Sequence, residues 1–344
     1  MALWLFRAGS RGEYETKFLN DKRVYITWQN LNHDLSKLHS RKELMALLDK
    51  TYPDNKPKAL QNYVSQVWPA VHDMKPGDWI VLPSKLKSAI HIAEITGGYE
   101  YDSKAEDPFY HSRTVNWIAT DISRANFDQD LLYSMGAFLT ICRIERNDAE
   151  ARIRAMKKAG WKSGTAITKP TNTHGQEDVI ESVDLEQLAR DQIAKLIIQK
   201  FKGHGLARLV ESILKAQGYT TYISPVGPDK GIDILAAPGP LGFGKPRLCV
   251  QVKSSDLPVD LPTMNQLIGA MQNVHADQGL LVSWGGFKSS IDKEVPAQFF
   301  RVRLWDQDKL IVELLDHYEA LEADLRADIP LKKIWTVATK EDDT

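Results

Sequence analysis

The sequence predicts a two-part α/β protein. A rear α/β sandwich with a mixed central sheet follows an α+β domain with a curled, barrel-like sheet. Three observations lead there. Residues 1–160 string together short aromatic and β-branched runs with a few helical ones, the pattern of small curled sheets. Residues 162–178, KSGTAITKPTNTHGQED, are rich in Thr, Gly and Lys and almost free of large apolar side chains, the composition of a linker. In the rear part, LCVQVK (248–253) and GLLVSW (279–284) are separated by one helical stretch, so part of that sheet must be parallel. The expected division is 1–160, a linker over 161–182, and 183–344, in keeping with a chain of 344 residues.

The elements follow in order. ALWLFRAG and RVYITWQ read as strands. SRKELMALLDKTYP reads as a helix with Ser40 as its N-cap and Pro53 as its stop. NYVSQVWPAVHDM is a second helix; GDWIVLPS, SAIHIAEITGGYEYD and RTVNWIATDIS are strands; LLYSMGAFLTICRI is a short helix and then a strand. In the rear, VDLEQLARDQIAKLIIQKFKGHG and LARLVESILKAQGY are helices, the second closed by Gly218. A hairpin comes next, then a helix at LPTMNQLIGAMQNVHA, the strand QGLLVSW, a short helix near KSSIDKEV, the strand RVRLWD and the helix QDKLIVELLDHYEAL.

Bulk composition narrows the function. A formal charge of −1 argues against a purely electrostatic nucleic-acid binder while allowing a local basic face. Cys142 and Cys249 lack metal-ligand spacing and read as reduced thiols. No apolar run reaches the roughly 18–20 residues of a membrane span. MALWLFRAG lacks a basic n-region and reads as a first strand, which places the protein in the cytoplasm.

The chemistry concentrates in the hairpin DKGIDILAAPGPLGFGKPRLCVQVKSSD, 229–256. Polar residues within a strand need partners, and here Asp233 sits in the first apolar run while Gln251 and Lys253 share one face of the second. A turn near Gly242 would place Asp233 opposite Gln251. An anionic oxygen, a neutral carbonyl and an ammonium suit a hydrated divalent cation beside a phosphodiester. Each residue alone also fits a turn, an edge or a gatekeeper position. Asp229 reads as a turn residue, and Ser254, Ser255 and Asp256 as either site rim or strand-ending turn.

The run GYTTYISPVGPDKGIDILAAPG…LCVQVKSSD resembles the catalytic core of Mrr-type restriction endonucleases, a branch of the PD-(D/E)xK superfamily in which Gln replaces the usual acid to give QxK. The likeness spans roughly residues 200–315. It implies Asp233, Gln251 and Lys253 as catalytic residues, Asp233 and Gln251 as ligands of Mg²⁺ or Mn²⁺, and Gln266 flanking the site on DNA. Many relatives carry a helix glutamate where Ala207 stands here; Glu211, four residues on, or His204 would substitute. An exposed helix charge explains Glu211 equally well.

In the front part, MKPGDWIVLPSKLKSAIHIAEITGGYEYD…FYHSRTVNWI resembles PUA-like domains of the EVE, modified-base-reading kind. That implies an aromatic slot for an extruded base, with Tyr25, Trp28, Tyr99 and Tyr101 as candidates and Arg113, Lys85 and Lys87 as phosphate contacts. Most of these rings also suit a core. The combined expectation is a modification-dependent, type IV-like endonuclease directed at foreign or phage double-stranded DNA, working as a homodimer or a DNA-templated pair. The alternatives are a non-catalytic reader of modified DNA with a degenerate nuclease domain and an RNA-directed nuclease.

Overall fold

The computed structural model describes residues 1–137, 139–161, 184–225 and 231–335. The expected linker lies, apart from Trp161, outside the described residues, as does Asp229. Among the described residues the chain forms two compact units, 1–188 and 189–335.

The front unit holds a six-stranded mixed sheet: β1 (Leu3–Phe6), β2 (Arg23–Tyr25), β3 (Trp79–Pro83), β4 (Ala89–Tyr101), β5 (His111–Ser123) and β6 (Ile141–Arg143), in the order β2-β5-β4-β3-β1-β6. β1 runs parallel to β3; every other pairing is antiparallel. Its helices are α1 (Glu15–Asp21), α2 (Arg41–Thr51), α3 (Pro57–Trp68), α4 (Gln129–Ser134) and α5 (Ala149–Lys158). Both faces of the sheet are covered. Trp4, Phe6, Ile80 and Leu82 pack with Leu48 of α2 and Leu60 of α3, and Leu3, Leu5, Val81 and Ile92 pack with Leu131 of α4 and Ile153 of α5. That double burial explains why β1 and β3 are continuous apolar runs. Ser40 caps α2 as expected: its hydroxyl accepts the Glu43 N–H at 3.2 Å while the Glu43 carboxylate accepts the His39 N–H at 2.9 Å. Neither α1 nor α5 was legible in the sequence. Each buries few apolar side chains, so its periodic signal is thin.

The rear unit is a five-stranded sheet of β7 (Tyr219–Ile223), β8 (Ile234–Pro238), β9 (Leu248–Lys253), β10 (Gln278–Ser283) and β11 (Val302–Trp305), in the order β11-β10-β9-β8-β7. β7, β8 and β9 are antiparallel, and β9, β10 and β11 are parallel, as the crossover required. The helices are α6 (Leu185–Phe201), α7 (His204–Ala216), α8 (Leu261–Asn273), the short α9 (Ser289–Asp292) and α10 (Val295–Gln298), α11 (Gln307–Asp316) and α12 (Ala323–Asp328). Gly218, at φ +92°, closes α7. α6, α7 and α11 cover the sheet face that presents Ile234, Val250 and Val282. α8 covers the other face, against Cys249 and Leu281. Gly279 allows that approach, since a Cβ there would stand 2.6 Å from the Met271 sulfur. Among the described residues, no helix is long and apolar enough to cross a membrane.

A second glycine fixes the chain just past β9. A Cβ on Gly285 would lie 2.5 Å from the Leu257 carbonyl oxygen and 2.6 Å from the Asp256 carbonyl carbon, and backbone cannot swing aside as a side chain can. Gly285→Ala should therefore destabilise the rear unit by about 1–3 kcal/mol, lowering the melting temperature by several degrees in a thermal scan.

Candidate functional site

The C-terminal end of β9 gathers the polar residues. Regular β8–β9 pairing ends at Ile234–Val250. The expected register carried it one residue further, to Asp233 opposite Gln251. Instead the strand departs from one-to-one pairing: the Asp233 N–H donates to the Val250 carbonyl at 2.9 Å, and one Asp233 carboxylate oxygen accepts the Val252 N–H at 2.8 Å. The carboxylate thus sits against the β9 backbone at the residue between Gln251 and Lys253. Gly231, at φ +83°, makes the preceding turn. Ser224 pins it with two bonds, its N–H to the Asp233 carbonyl at 2.8 Å and its hydroxyl to the Ile232 carbonyl at 2.6 Å.

Gln251 is 1 % exposed, and its Oε1 has no hydrogen-bond partner among the described residues. Its amide nitrogen lies where a Cβ on Gly231 would come within 3.0 Å, so the amide packs on the turn that carries Asp233. Lys253 is half-buried and forms no ion pair among the described residues. It stands level with Ser283 of β10, whose hydroxyl is turned to the Gly286 carbonyl at 2.7 Å. By strand alternation Gln251 and Lys253 share the face of Cys249, the face under α8. Burial and the nearby Asp233 charge push the Cys249 thiol up to about 11, so it stays protonated and inert at neutral pH.

The donor set fits a hard divalent cation: one carboxylate, one buried carbonyl oxygen lacking a donor, and an adjacent ammonium. No cluster of three His, Cys, Asp or Glu side chains suited to a metal occurs among the described residues. Such an ion would therefore depend on Asp233, Gln251, water and substrate oxygens.

Glu211 is not brought to this group. Its Oε1 accepts the Thr221 hydroxyl at 2.8 Å and pairs with Lys215 at 3.3 Å. It rides on α7, which covers the opposite sheet face, and Thr221 stands level with Ala236, about 10 Å along the strand from Asp233. The start of α7 is the end held near the site, because the Gly203 N–H donates to the Ser254 hydroxyl at 3.0 Å. His204 opens that helix. Ser254 is thus a strut rather than a bare turn residue. Gln266 is exposed on α8 with no side-chain hydrogen bond among the described residues.

The front-unit candidates prove structural. Trp28 is 3 % exposed and packs edge-on against Tyr63. Tyr25 is buried and donates its hydroxyl to Asp21 at 2.7 Å; burial, then that carboxylate, raises its pKa. Arg113 is 4 % exposed and donates to the Ala70 and Val71 carbonyls at 2.7 and 2.9 Å, satisfying a π-helical turn at Pro69–Asp73. It cannot reach a phosphate. Lys85 pairs with Asp184 at 2.8 Å, and Lys87 pairs with Asp121. The rings of Tyr99 and Tyr101 lie near-parallel to buried His111, with centroids at 5.9 and 5.6 Å. Sequence patterning marks rings as apolar surface but cannot say whether that surface faces a core or a ligand. One opening of the unit is a cleft of about 610 Å³, lined by Trp4, Ser65, Pro69, Asp78, Ile141 and Arg143 among others. Asp78 is buried at its wall and accepts the Ala2 N–H at 2.7 Å and the Trp4 indole N–H at 3.1 Å.

Comparison with known proteins falls on the same two units. Residues 198–314 match the Mrr_cat family model, described as restriction endonuclease. The rear unit thus carries a restriction endonuclease domain, which indicates an endonuclease, a hydrolase; domains of this kind generally use divalent metals. Residues 4–135 match a domain of unknown function, DUF8426. The chain matches no curated protein. Among solved structures it is similar to the DNA modification-dependent restriction endonuclease AspBHI, at 14 % identity, 80 % of this chain, 74 % of that one and a TM-score of 0.34. It is also similar to the MspJI restriction endonuclease in complex with a 27-mer oligonucleotide, at 13 % identity, 81 % of this chain, 70 % of that one and a TM-score of 0.32.

His111 makes the front unit acid-sensitive. Its Nε2–H donates to the Leu31 carbonyl at 2.6 Å, so its Nδ1 accepts the Tyr99 hydroxyl at 2.7 Å. Burial holds the imidazole neutral, with a pKa lowered to about 4. Unfolding returns it to about 6.5, so its contribution is complete above pH 6.5 and fades as pH falls toward 4, by up to roughly 3 kcal/mol. Urea midpoints at pH 7.5 and 4.5 should differ accordingly, and His111→Asn should flatten the dependence.

Proposed function

We propose that this chain is a modification-dependent DNA endonuclease, in which the rear unit hydrolyses the phosphodiester and the front unit selects modified DNA. The observation that carries the reading is the buried, donorless Gln251 oxygen one residue from the Val252 N–H that the Asp233 carboxylate accepts, at the tip of a strand that also presents Lys253. Asp233 and Gln251 would hold Mg²⁺, with Mn²⁺ as a substitute. When bound, such an ion polarises a phosphoryl oxygen and lowers the pKa of a coordinated water. The remaining work belongs to the chain. The Val252 N–H would hold the carboxylate in place, the Gly231 turn would pack on the amide, and Lys253 would supply positive charge to the phosphate oxygens as the water oxygen bonds to phosphorus and gives up a proton to solvent, while one P–O ester bond breaks and its leaving oxygen takes up a proton from solvent.

The front unit is the PUA/EVE-like reader in this proposal. Its slot would be the cleft lined by Trp4 and Asp78. Two copies acting together would cut both strands, and a cytoplasmic role against phage or other foreign DNA follows from such selectivity. One observation favours a second reading, a non-catalytic binder of modified DNA: Glu211 lies on the far face of the sheet, so the site has few carboxylates.

Incubation with methylated and unmodified plasmid in Mg²⁺ separates the two. Cleavage restricted to modified DNA supports the endonuclease; binding without cleavage under any divalent metal supports the binder. Asp233→Ala and Lys253→Ala should each lower the cleavage rate on the order of 10²–10³-fold, Lys253→Ala with the melting temperature nearly unchanged and Asp233→Ala with a fall of a few degrees, because the Val252 N–H loses its acceptor. Gln251→Glu should retain cleavage and require less metal, because a second carboxylate replaces the neutral ligand. Equal loss in Gln251→Glu and Gln251→Ala at every metal concentration would overturn the ligand role.

A further inference from the structure

Helix α8 has 13 residues, LPTMNQLIGAMQN, and none is charged, in a chain that is 26 % charged. Met264, Leu267, Ala270 and Met271 face the sheet. Pro262, Asn265, Gln266, Gly269, Gln272 and Asn273 are exposed, at the three- and four-residue spacing of one continuous outward stripe. An ordinary solvent-facing helix carries Lys and Glu along such a stripe. Among the described residues, none of the four amide side chains has a hydrogen bond.

Gly269 sharpens the point. Glycine inside a helix is disfavoured against alanine, and it persists where something needs the room. Nothing in the fold needs it here, because a Cβ on Gly269 would meet no atom within 4 Å. The bare helix surface is open to an external partner. Two observations identify that partner. α8 covers the sheet face that presents Gln251 and Lys253, and it starts eight residues after Lys253, across the 254–260 loop. The stripe also offers donors and acceptors and no carboxylate to repel phosphate, and Asn and Gln amides hydrogen-bond phosphate oxygens and base edges.

We propose that the outward face of α8 is a DNA-docking surface, on which the amides hydrogen-bond the duplex and Gly269 lets its backbone lie against the helix. This rests on the rear unit acting on DNA. The test uses the full chain, a duplex oligonucleotide in EDTA for affinity, and the same duplex in Mg²⁺ for cleavage. Gly269→Ala should raise the melting temperature by about 2–4 °C, as an unhindered helix alanine does, yet weaken DNA binding by about tenfold. Gln266→Ala with Gln272→Ala should weaken binding similarly. Neither variant should alter the slope of log affinity against log salt, because no cation is removed. A more stable Gly269→Ala protein with unchanged DNA affinity overturns the proposal. So does a loss of self-association on sedimentation with DNA affinity retained, which would assign the stripe to a second copy of the chain. If the parent chain never cuts but the variants lose DNA binding, the docking surface stands and the nuclease reading falls. If the parent cuts and the variants bind normally, the reverse holds.

Discussion

A buried amide oxygen without a donor costs about 1–3 kcal/mol, and Gln251 carries one at the tip of a central strand. Valine at that position would bury well and leave nothing unsatisfied. The neighbours are arranged to keep the amide rather than to quench it. Gly231 makes room for its nitrogen, Asp233 spends a carboxylate oxygen on the next backbone N–H, and Leu281 walls the adjacent strand. Among the described residues, the indole N–H groups of Trp28, Trp117 and Trp284 also lack partners. They are different in kind, since each brings a large ring whose burial offsets the loss. Gln251 brings little apolar surface, and in the proposed site a bound cation would offset its cost.

The rear sheet separates stability from chemistry by face. On the α7 side, Val210, Ile213, Val250, Val282 and Leu310 form an apolar core, and Glu211 is tied down by Thr221 and Lys215. On the α8 side the core is shallower and the polar groups emerge at its end. Ser254 connects the two by holding the first turn of α7 to the chain leaving β9. The front unit follows a different economy. Its polar and aromatic groups satisfy one another internally, as when Arg113 closes the π-turn carbonyls and His111 bonds the Tyr99 hydroxyl and the Leu31 carbonyl.

Much of the rear unit was legible in the sequence because its elements obey single periodicities. The α7–β7 junction is marked by Gly218, the hairpin by its Gly/Pro loop, and the parallel step by one helix between two apolar runs. The order Asp233, Gln251, Lys253 was legible for the same reason. The local break at Asp233 was not, because it depends on a glycine turn and a side-chain bond to Val252 that alternation does not encode. The front unit resisted for a deeper reason. Its sheet is buried on both faces, so aromatic strands that resemble a binding wall are core on either side, and Trp4 and Trp28 both pack into the interior.

The composition of the site has a consequence for how it would load. One carboxylate and one neutral carbonyl attract a divalent cation far less than the carboxylate clusters that bind such ions unaided. A phosphodiester laid across the strand tip brings a negative charge and further hard oxygens, so ion and nucleic acid would each raise the affinity of the other. By linkage that coupling is equal in both directions. A glutamate in place of Gln251 would weaken the coupling, because the ion would be held before DNA arrives. The neutral amide thus makes the reactive state conditional on substrate, and the uncharged stripe of α8 extends the same logic outward. In the proposed assembly neither surface would depend on a cluster of charges, and selection would rest with contacts that must fit.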